Sequence, residues 1–247
     1  MEKDSNLHQF LTIGVFVLLV ILIFNSFFVF SMGSKLDEKI NEAKELAKPA
    51  KIEVIKLESL CENCFTVDEI LTVLKESSDL EITKETSLKK GSKEAIDMIN
   101  QYNIEKLPTV ILKGEITKVS IQNFEENNEA LVFNGVSPPY ENAKTNNIVG
   151  KVSTIIINDK NCGDKCADFS LSIDNLKNSG VFISKEVVYD YSDAKAKEII
   201  GKFGIRKLPA VLLSRDIEIY TDIVQSISQL ASKRNNYYLI ESAAPYV

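Results

Sequence analysis

The stretch Tyr-Asn-Ile-Glu-Lys-Leu-Pro-Thr-Val at positions 102–110 returns as Phe-Gly-Ile-Arg-Lys-Leu-Pro-Ala-Val at positions 203–211. The two stretches are 101 residues apart, so the chain contains an internal duplication of that period. A chain of 247 residues has room for two domains of ordinary size, and the repeat assigns one domain to each copy.

All four cysteines occupy matching places in the two copies. The first copy has Cys61 and Cys64 in Leu-Cys-Glu-Asn-Cys-Phe, and the second has Cys162 and Cys166 in Asn-Cys-Gly-Asp-Lys-Cys-Ala. The first cysteine of each pair precedes the proline of its copy by 47 residues. This placement makes redox or metal chemistry the first interpretation.

Composition excludes several other functions. The net charge of −6 comes from interspersed Lys, Glu and Asp without a basic stripe, which argues against a nucleic-acid partner. The single histidine, His8, precedes the folded part, which excludes Cys-His nucleophilic catalysis and mixed Cys/His zinc sites there. One zinc ion shared by the four cysteines stays an alternative, but we predict no metal site and no cofactor.

The N-terminal segment from Phe10 to Met32 carries no charged residue and is long enough to cross a bilayer as a helix. A cleaved signal peptide is the competing interpretation, but its apolar region is normally shorter and is followed by small residues. We therefore predict a single-pass anchor within residues 1–33. The lysines that follow it favour a cytoplasmic domain, whereas long domains translocate regardless of such charge. We expect the folded domains on the extracytoplasmic side.

The remaining chain divides by composition. Residues 34–50 have apolar side chains at helical spacing and end at Pro49, which predicts a short stalk helix. We predict a first domain over 51–140, a polar linker over 141–150 and a second domain over 151–247.

Each copy alternates strands and helices in the same order. A strand precedes the cysteines, a helical pattern follows them, and a second strand and helix lead to the proline and a third strand. Such alternation predicts an α/β fold with a mainly parallel sheet flanked by helices, in which the later strands can pair antiparallel. The predicted strands and the helices before the prolines are Ile52–Leu57, Leu80–Thr86, Lys93–Tyr102, Thr109–Lys113, Val152–Asn158, Val181–Tyr189, Ala194–Phe203 and Ala210–Ser214.

The copies differ near their ends. The pattern predicts a final helix in the second copy from about Asp222 to Lys233, with Thr221 as its N-cap. The matching stretch Ile121–Glu129 is shorter and only weakly periodic. Each copy then closes on a strand-like run, Ala130–Phe133 or Tyr237–Ile240.

The order of elements in each copy is thioredoxin-like. It consists of a strand, a cysteine pair (Cys-x-x-Cys in the first copy), a helix, a strand, a helix and then Leu-Pro before a strand. From Ala50 to Tyr246 the chain resembles tandem thioredoxin-fold proteins, and its layout is similar to that of archaeal two-domain protein disulfide oxidoreductases. The resemblance implies an attacking thiolate, a resolving thiol and a cis-proline facing them. In this sequence these are Cys61, Cys64 and Pro108 in the first copy, and Cys162, Cys166 and Pro209 in the second.

The sequence also departs from that family. It has no tryptophan, and its second cysteine pair has three intervening residues instead of two. Ile55 and Ile156 stand six residues before the first cysteines, where thioredoxin has a buried aspartate. These differences leave the predicted fold intact but weaken the expectation of thioredoxin-type reduction.

Disulfide exchange needs an accessible thiolate and a second thiol within reach. We expect each pair at a helix N-terminus, where the helix dipole stabilises a thiolate and one helix face carries both sulfurs. The predicted function is a membrane-anchored thiol–disulfide oxidoreductase whose substrates are protein thiols or disulfides and which a separate redox partner recycles. The alternative is a non-catalytic binding or scaffold protein in which the disulfides are structural.

Overall fold

The computed structural model describes residues 14, 16, 18–28, 36, 39–40, 43–45, 47–163, 166 and 169–242. The chain divides into two compact units, of which one contains residues 1–50 and 78–81 and the other residues 51–77 and 82–247. Both cysteine pairs belong to the second unit.

The first repeat is a five-stranded sheet with two helices. Its elements are β1 (Ala50–Leu57), α1 (Asp68–Glu76), β2 (Leu80–Leu88), α2 (Lys93–Gln101), β3 (Lys106–Leu107), β4 (Thr109–Gly114), β5 (Phe124–Asn127) and β6 (Ala130–Phe133). The strand order is β2-β1-β4-β6-β5, with β3 in a different sheet. Helix α2 begins where the Ser92 side chain accepts a hydrogen bond from the Ala95 N–H, as an N-cap does.

The second repeat has the same arrangement. Its elements are β9 (Val152–Asn158), α3 (Phe169–Asn178), β10 (Ile183–Asp190), α4 (Ala194–Phe203), β11 (Ala210–Ser214), α5 (Thr221–Ile227), β12 (Ala231–Arg234) and β13 (Tyr237–Glu241). The strand order is β10-β9-β11-β13-β12, which repeats that of the first sheet. Helix α4 ends at Gly204, whose left-handed conformation (φ 63°) is the usual helix C-cap for glycine.

The second repeat has the predicted mixed sheet flanked by helices, but this sheet is mainly antiparallel instead of mainly parallel. Strands β9 and β10 are parallel, but β9/β11, β11/β13 and β12/β13 are antiparallel. The short turn between β12 and β13 contains Asn235 in a left-handed conformation, and a connection this short joins only antiparallel strands.

Helices cover both faces of the second sheet because successive strand residues point to opposite sides. Ile157 and Leu212 pack with Ala196, Ile199 and Phe203 of α4. On the other face, the α3 residue Ile173 belongs to a separate cluster with strand residues Ile156, Val211 and Leu213. In the first repeat, Ile55, Leu57 and Ile111 pack with the α2 residue Ala95. Each fully buried Ile or Leu stabilises its fold by about 1.5–3 kcal/mol.

The predicted final helix Asp222–Lys233 is wrong in length. Helix α5 ends at Ile227, and residues Ala231–Arg234 form the edge strand β12. Thr221 is the first helical residue, and Tyr220 occupies the N-cap position without a side-chain capping bond. Pairing with β13 satisfies the backbone groups of residues 231–234, which overrides their helical periodicity.

The residues predicted to link the domains contain a third sheet. Strands β7 (Tyr140–Asn142) and β8 (Ile148–Val149) pair with each other, and β7 also pairs with β3 in front of Pro108. This segment is therefore hydrogen-bonded to the first repeat instead of crossing freely between the two.

In the part of the chain that the structure describes, no helix is both long enough and apolar enough to cross a bilayer. Residues 18–28 are helical, and their large apolar side chains are exposed. Residues 10–13, 15, 17 and 29–32 of the predicted anchor lie outside the described residues. In the predicted stalk, residues 36, 39–40 and 43–45 are helical.

Candidate functional site

In each repeat, the cysteine loop and the repeated proline lie at the same end of two neighbouring strands. Leu57, the last residue of β1, pairs with Thr109, so the loop leaving β1 starts beside Pro108. In the second repeat Ile157 pairs with Ala210, which places the next loop beside Pro209. The Leu107–Pro108 and Leu208–Pro209 peptide bonds are cis, which confirms the expectation for both prolines.

Each cysteine pair forms a disulfide within its own repeat. The Cα–Cα distance is 5.6 Å for Cys61–Cys64 and 5.7 Å for Cys162–Cys166, both within the usual range for disulfides. The four sulfurs therefore form two separate disulfides.

The expectation that the first pair lies at a helix N-terminus is wrong. Cys61 and Cys64 lie in a turn, and helix α1 begins only at Asp68. Asn63 has a left-handed conformation (φ 54°), which turns the chain back and brings the two cysteines together without a helix. The dipole of α1 therefore has little influence on Cys61, because the effect is confined to the first helical turn.

The two pairs differ in exposure. Cys61 is half-buried and the preceding Leu60 side chain is 74% exposed, so the first turn projects toward solvent. In contrast, Cys162, the counterpart of the predicted attacking cysteine, is 7% exposed. An incoming disulfide needs access to the attacking sulfur, so the geometry favours Cys61 as the reactive cysteine.

A buried ion pair supports the turn before Cys61. The Glu141 carboxylate accepts hydrogen bonds from the Ser59 hydroxyl at 2.7 Å and the Leu60 N–H at 3.1 Å, and it pairs with the Lys90 ammonium. The Ser59 hydroxyl oxygen in turn accepts the Cys61 N–H at 3.0 Å. A short hydrogen-bonded chain thus runs from Glu141 to the backbone of Cys61.

The environment of Glu141 keeps it ionised. Burial raises the pKa of Glu141, but hydrogen bonds from Lys90, Ser59 and the Leu60 N–H outweigh burial and hold the pKa below its ordinary value.

Two further hydrogen bonds join the same turn to residues just before and just after the predicted linker 141–150. The Phe65 N–H donates to the Pro139 carbonyl at 2.7 Å, and the Lys151 ammonium donates to the Glu62 carbonyl at 2.5 Å. Sequence reasoning missed Glu141, Lys90 and Lys151, and no local pattern distinguishes them from other charged residues of this polar chain.

An open cavity of about 670 Å³ lies next to the turn. Leu60, Ile96 and Ile99 supply its apolar lining, while Lys90 and Glu141 lie in its wall. Leu60 and Ile96 are 74% and 48% exposed. The groove therefore combines an apolar floor with a charged wall next to the cysteine turn.

Buried apolar residues occupy the positions six residues before the first cysteine of each pair. Ile55 is 8% and Ile156 is 2% exposed. These side chains provide no group that accepts a proton.

Comparisons with known proteins give distant structural matches at low similarity. No protein-family model matches this sequence, and comparison with curated proteins gives no match. Among solved structures, full-length ERdj5 is 12% identical with a TM-score of 0.20, and the alignment covers 72% of this chain and 27% of ERdj5. The N-terminal domain of alkylhydroperoxide reductase AhpF from Enterococcus faecalis is 15% identical with a TM-score of 0.21, covering 70% of this chain and 88% of that one.

A protein disulfide oxidoreductase from Aeropyrum pernix is 14% identical with a TM-score of 0.20, covering 70% of this chain and 82% of that one. At such TM-scores the overall likeness carries no argument about this chain. Its function is therefore interpreted from the strand order, the disulfides and the groups around them.

Proposed function

We propose that this protein is a thiol–disulfide oxidoreductase that reacts through Cys61 and Cys64. The observation that carries the proposal is the Cys61–Cys64 disulfide on a solvent-facing turn, in the loop that leaves β1 beside Pro108 and next to an open groove lined in part by Leu60. Short-range disulfides at accessible turns are the kind that exchange, whereas structural disulfides are typically buried.

The exchange proceeds in two displacements. The reduced Cys61 thiolate attacks a substrate disulfide, which forms a mixed disulfide and releases one substrate thiolate. The Cys64 thiolate then attacks the Cys61 sulfur, which re-forms the Cys61–Cys64 bond and releases the second substrate thiolate. The substrate gains the two electrons that the protein loses. The reverse sequence oxidises a substrate dithiol, and a separate redox protein restores the starting state in either direction.

Protein cysteines are the proposed substrates. The groove beside Leu60 can hold an apolar segment that flanks a substrate cysteine. The Cys162–Cys166 disulfide, with its first sulfur buried, is assigned a structural role, as in the scaffold alternative.

Residues 10–32 are proposed to anchor the chain in a membrane with the folded repeats on the extracytoplasmic side. The support is the uncharged sequence and the exposed apolar side chains of helical residues 18–28. Extraction of membranes with alkaline carbonate should leave the full chain in the pellet and release a chain lacking residues 1–33. A membrane-impermeant maleimide should label reduced Cys61 in intact cells, and labelling only after lysis would reverse the orientation.

Cysteine variants test the exchange reaction in the full chain in detergent. The C64S variant should trap a mixed disulfide between Cys61 and a cystine-containing peptide, detectable as an added mass that dithiothreitol removes. The C162S/C166S variant should retain exchange with oxidised glutathione, whereas C61S/C64S should lose it. Potentials below about −300 mV for both pairs, with no trapped adduct, would support the scaffold alternative instead.

A further inference from the structure

We propose that Lys151, the first residue of the second repeat, is the cation that stabilises the Cys61 thiolate of the first repeat. This inference rests on the proposed exchange reaction at Cys61 and names a residue outside both cysteine motifs. It gives a residue of the second repeat a part in the chemistry of the first site.

The geometry places the ammonium beside the sulfur. The Glu62 carbonyl oxygen lies 2.5 Å from Lys151 Nζ and 3.5 Å from Cys61 Sγ. The nitrogen and the sulfur are therefore at most about 6 Å apart, a distance at which opposite charges attract appreciably even in a water-like medium.

The other charges near the turn do not perform this role. The Glu141 carboxylate is neutralised by Lys90, and both of these groups are engaged on the Ser59 side of the turn. The Glu62 side chain is exposed and has the wrong sign to stabilise a thiolate. Helix α1 begins too late to contribute its dipole.

The Lys151 ammonium is available for a thiolate. Among the described residues it makes no ion pair with a carboxylate, and its other neighbour is the Phe182 ring, whose centroid is 5.9 Å away. The hydrogen bond to the Glu62 carbonyl holds the charge at the turn without neutralising it.

Lys151 stabilises the Cys61 thiolate once the Cys61–Cys64 disulfide is reduced. A substrate dithiol supplies two electrons and is itself oxidised to a disulfide. The Cys61–Cys64 bond breaks, one of the two protons that the substrate dithiol releases goes to the Cys64 sulfur, the other goes to solvent, and the Cys61 sulfur keeps its negative charge. Lys151 stabilises that charge, which makes the reduced protein more stable and the protein a stronger oxidant.

The test compares two lysines whose ammonium groups each lie near a phenyl ring. Lys202 of helix α4 lies 5.4 Å from the centroid of the Phe203 ring, so K202M removes the same charge from above a phenyl ring in the second repeat. Each variant is made in full-length C64S/C162S/C166S protein, in which Cys61 is the sole titrating thiol. The thiolate absorbance in the ultraviolet and the rate of alkylation by iodoacetamide at pH 7 report the thiolate population.

K151M should lower the ratio of thiolate to thiol by about threefold, K151E by about tenfold, and K151R should retain it. K202M should match the parent protein. In the four-cysteine chain, K151M should raise the equilibrium constant for disulfide formation from oxidised glutathione, by up to about threefold at a pH where Cys61 is mainly thiolate. Equal thiolate ratios in K151M and K202M would overturn the proposal. A parent protein whose Cys61 forms no mixed disulfide would instead overturn the exchange function.

Discussion

Glu141 and Lys90 form an ion pair with side chains only 6% and 11% exposed, and Glu141 also holds the turn before Cys61. The two residues are 51 positions apart, and Glu141 is the first residue of the segment 141–150, which the sequence predicts to be a linker. Part of the support for the first cysteine turn thus comes from a residue outside the strands and helices that the two repeats share.

Replacing Glu141 should increase the local opening of the turn before Cys61 more than it lowers the stability of the whole fold. We expect E141A to destabilise the protein by about 2 kcal/mol, because it leaves the Lys90 ammonium and the Leu60 N–H without their acceptor. Hydrogen exchange should show faster exchange of the Leu60 and Cys61 amides in E141A. E218Q, which breaks an ion pair of the second repeat, is the control and should leave those amides protected. Unchanged exchange in E141A would contradict the supporting role.

The ion pairs of Glu218 should make the free energy of unfolding decrease at acid pH. Hydrogen bonds from Lys233, Arg215 and Tyr238 lower the pKa of Glu218 to about 2. Because the folded pKa is depressed, the stabilisation is complete above the unfolded value near 4.5 and is lost as the pH falls toward 2. Urea denaturation should show wild type more stable than E218Q at pH 7, with the difference shrinking between pH 4.5 and 2.5. A constant difference would contradict the assignment.

Gly150 should tolerate no side chain. Its φ is +89°, and a Cβ there would lie 2.5 Å from the Pro138 Cβ. Gly204 has a φ of +63° but open space around it, so G204A measures the backbone cost alone, about 1 kcal/mol. We expect G150A to cost at least about 1 kcal/mol more than G204A in thermal or chemical denaturation. Equal costs would show that Pro138 moves aside freely.

Thr154 should be replaceable by valine without loss of stability. Its hydroxyl is buried and has no hydrogen-bond partner among the described residues. Thr154 pairs with Leu213 as Val54 pairs with Leu112, so valine already occupies the equivalent place in the first repeat. We expect T154V to be neutral or up to about 1 kcal/mol more stable, whereas T154S, which keeps the hydroxyl and removes the methyl group, should be less stable.

Local patterns predicted most of the fold. Val152–Asn158, Ala194–Phe203 and Ala210–Ser214 have the predicted bounds, because alternating or helical apolar positions coincide with burial against the sheet. The prediction failed at residues 231–234, where strand pairing overrides a helical pattern. It also failed at the first cysteine pair, where the left-handed Asn63 replaces a helix N-terminus with a turn.

The sequence by itself determined the duplication, the α/β class, the two cysteine pairs and the prolines beside them. These follow from periodic burial and from residues a few positions apart, which local chain geometry brings together. Only the tertiary structure decided which sulfur faces solvent and which charges surround it. Lys90, Glu141 and Lys151 lie 29, 80 and 90 positions after Cys61 in the chain, and their contacts depend on how strands and loops pack.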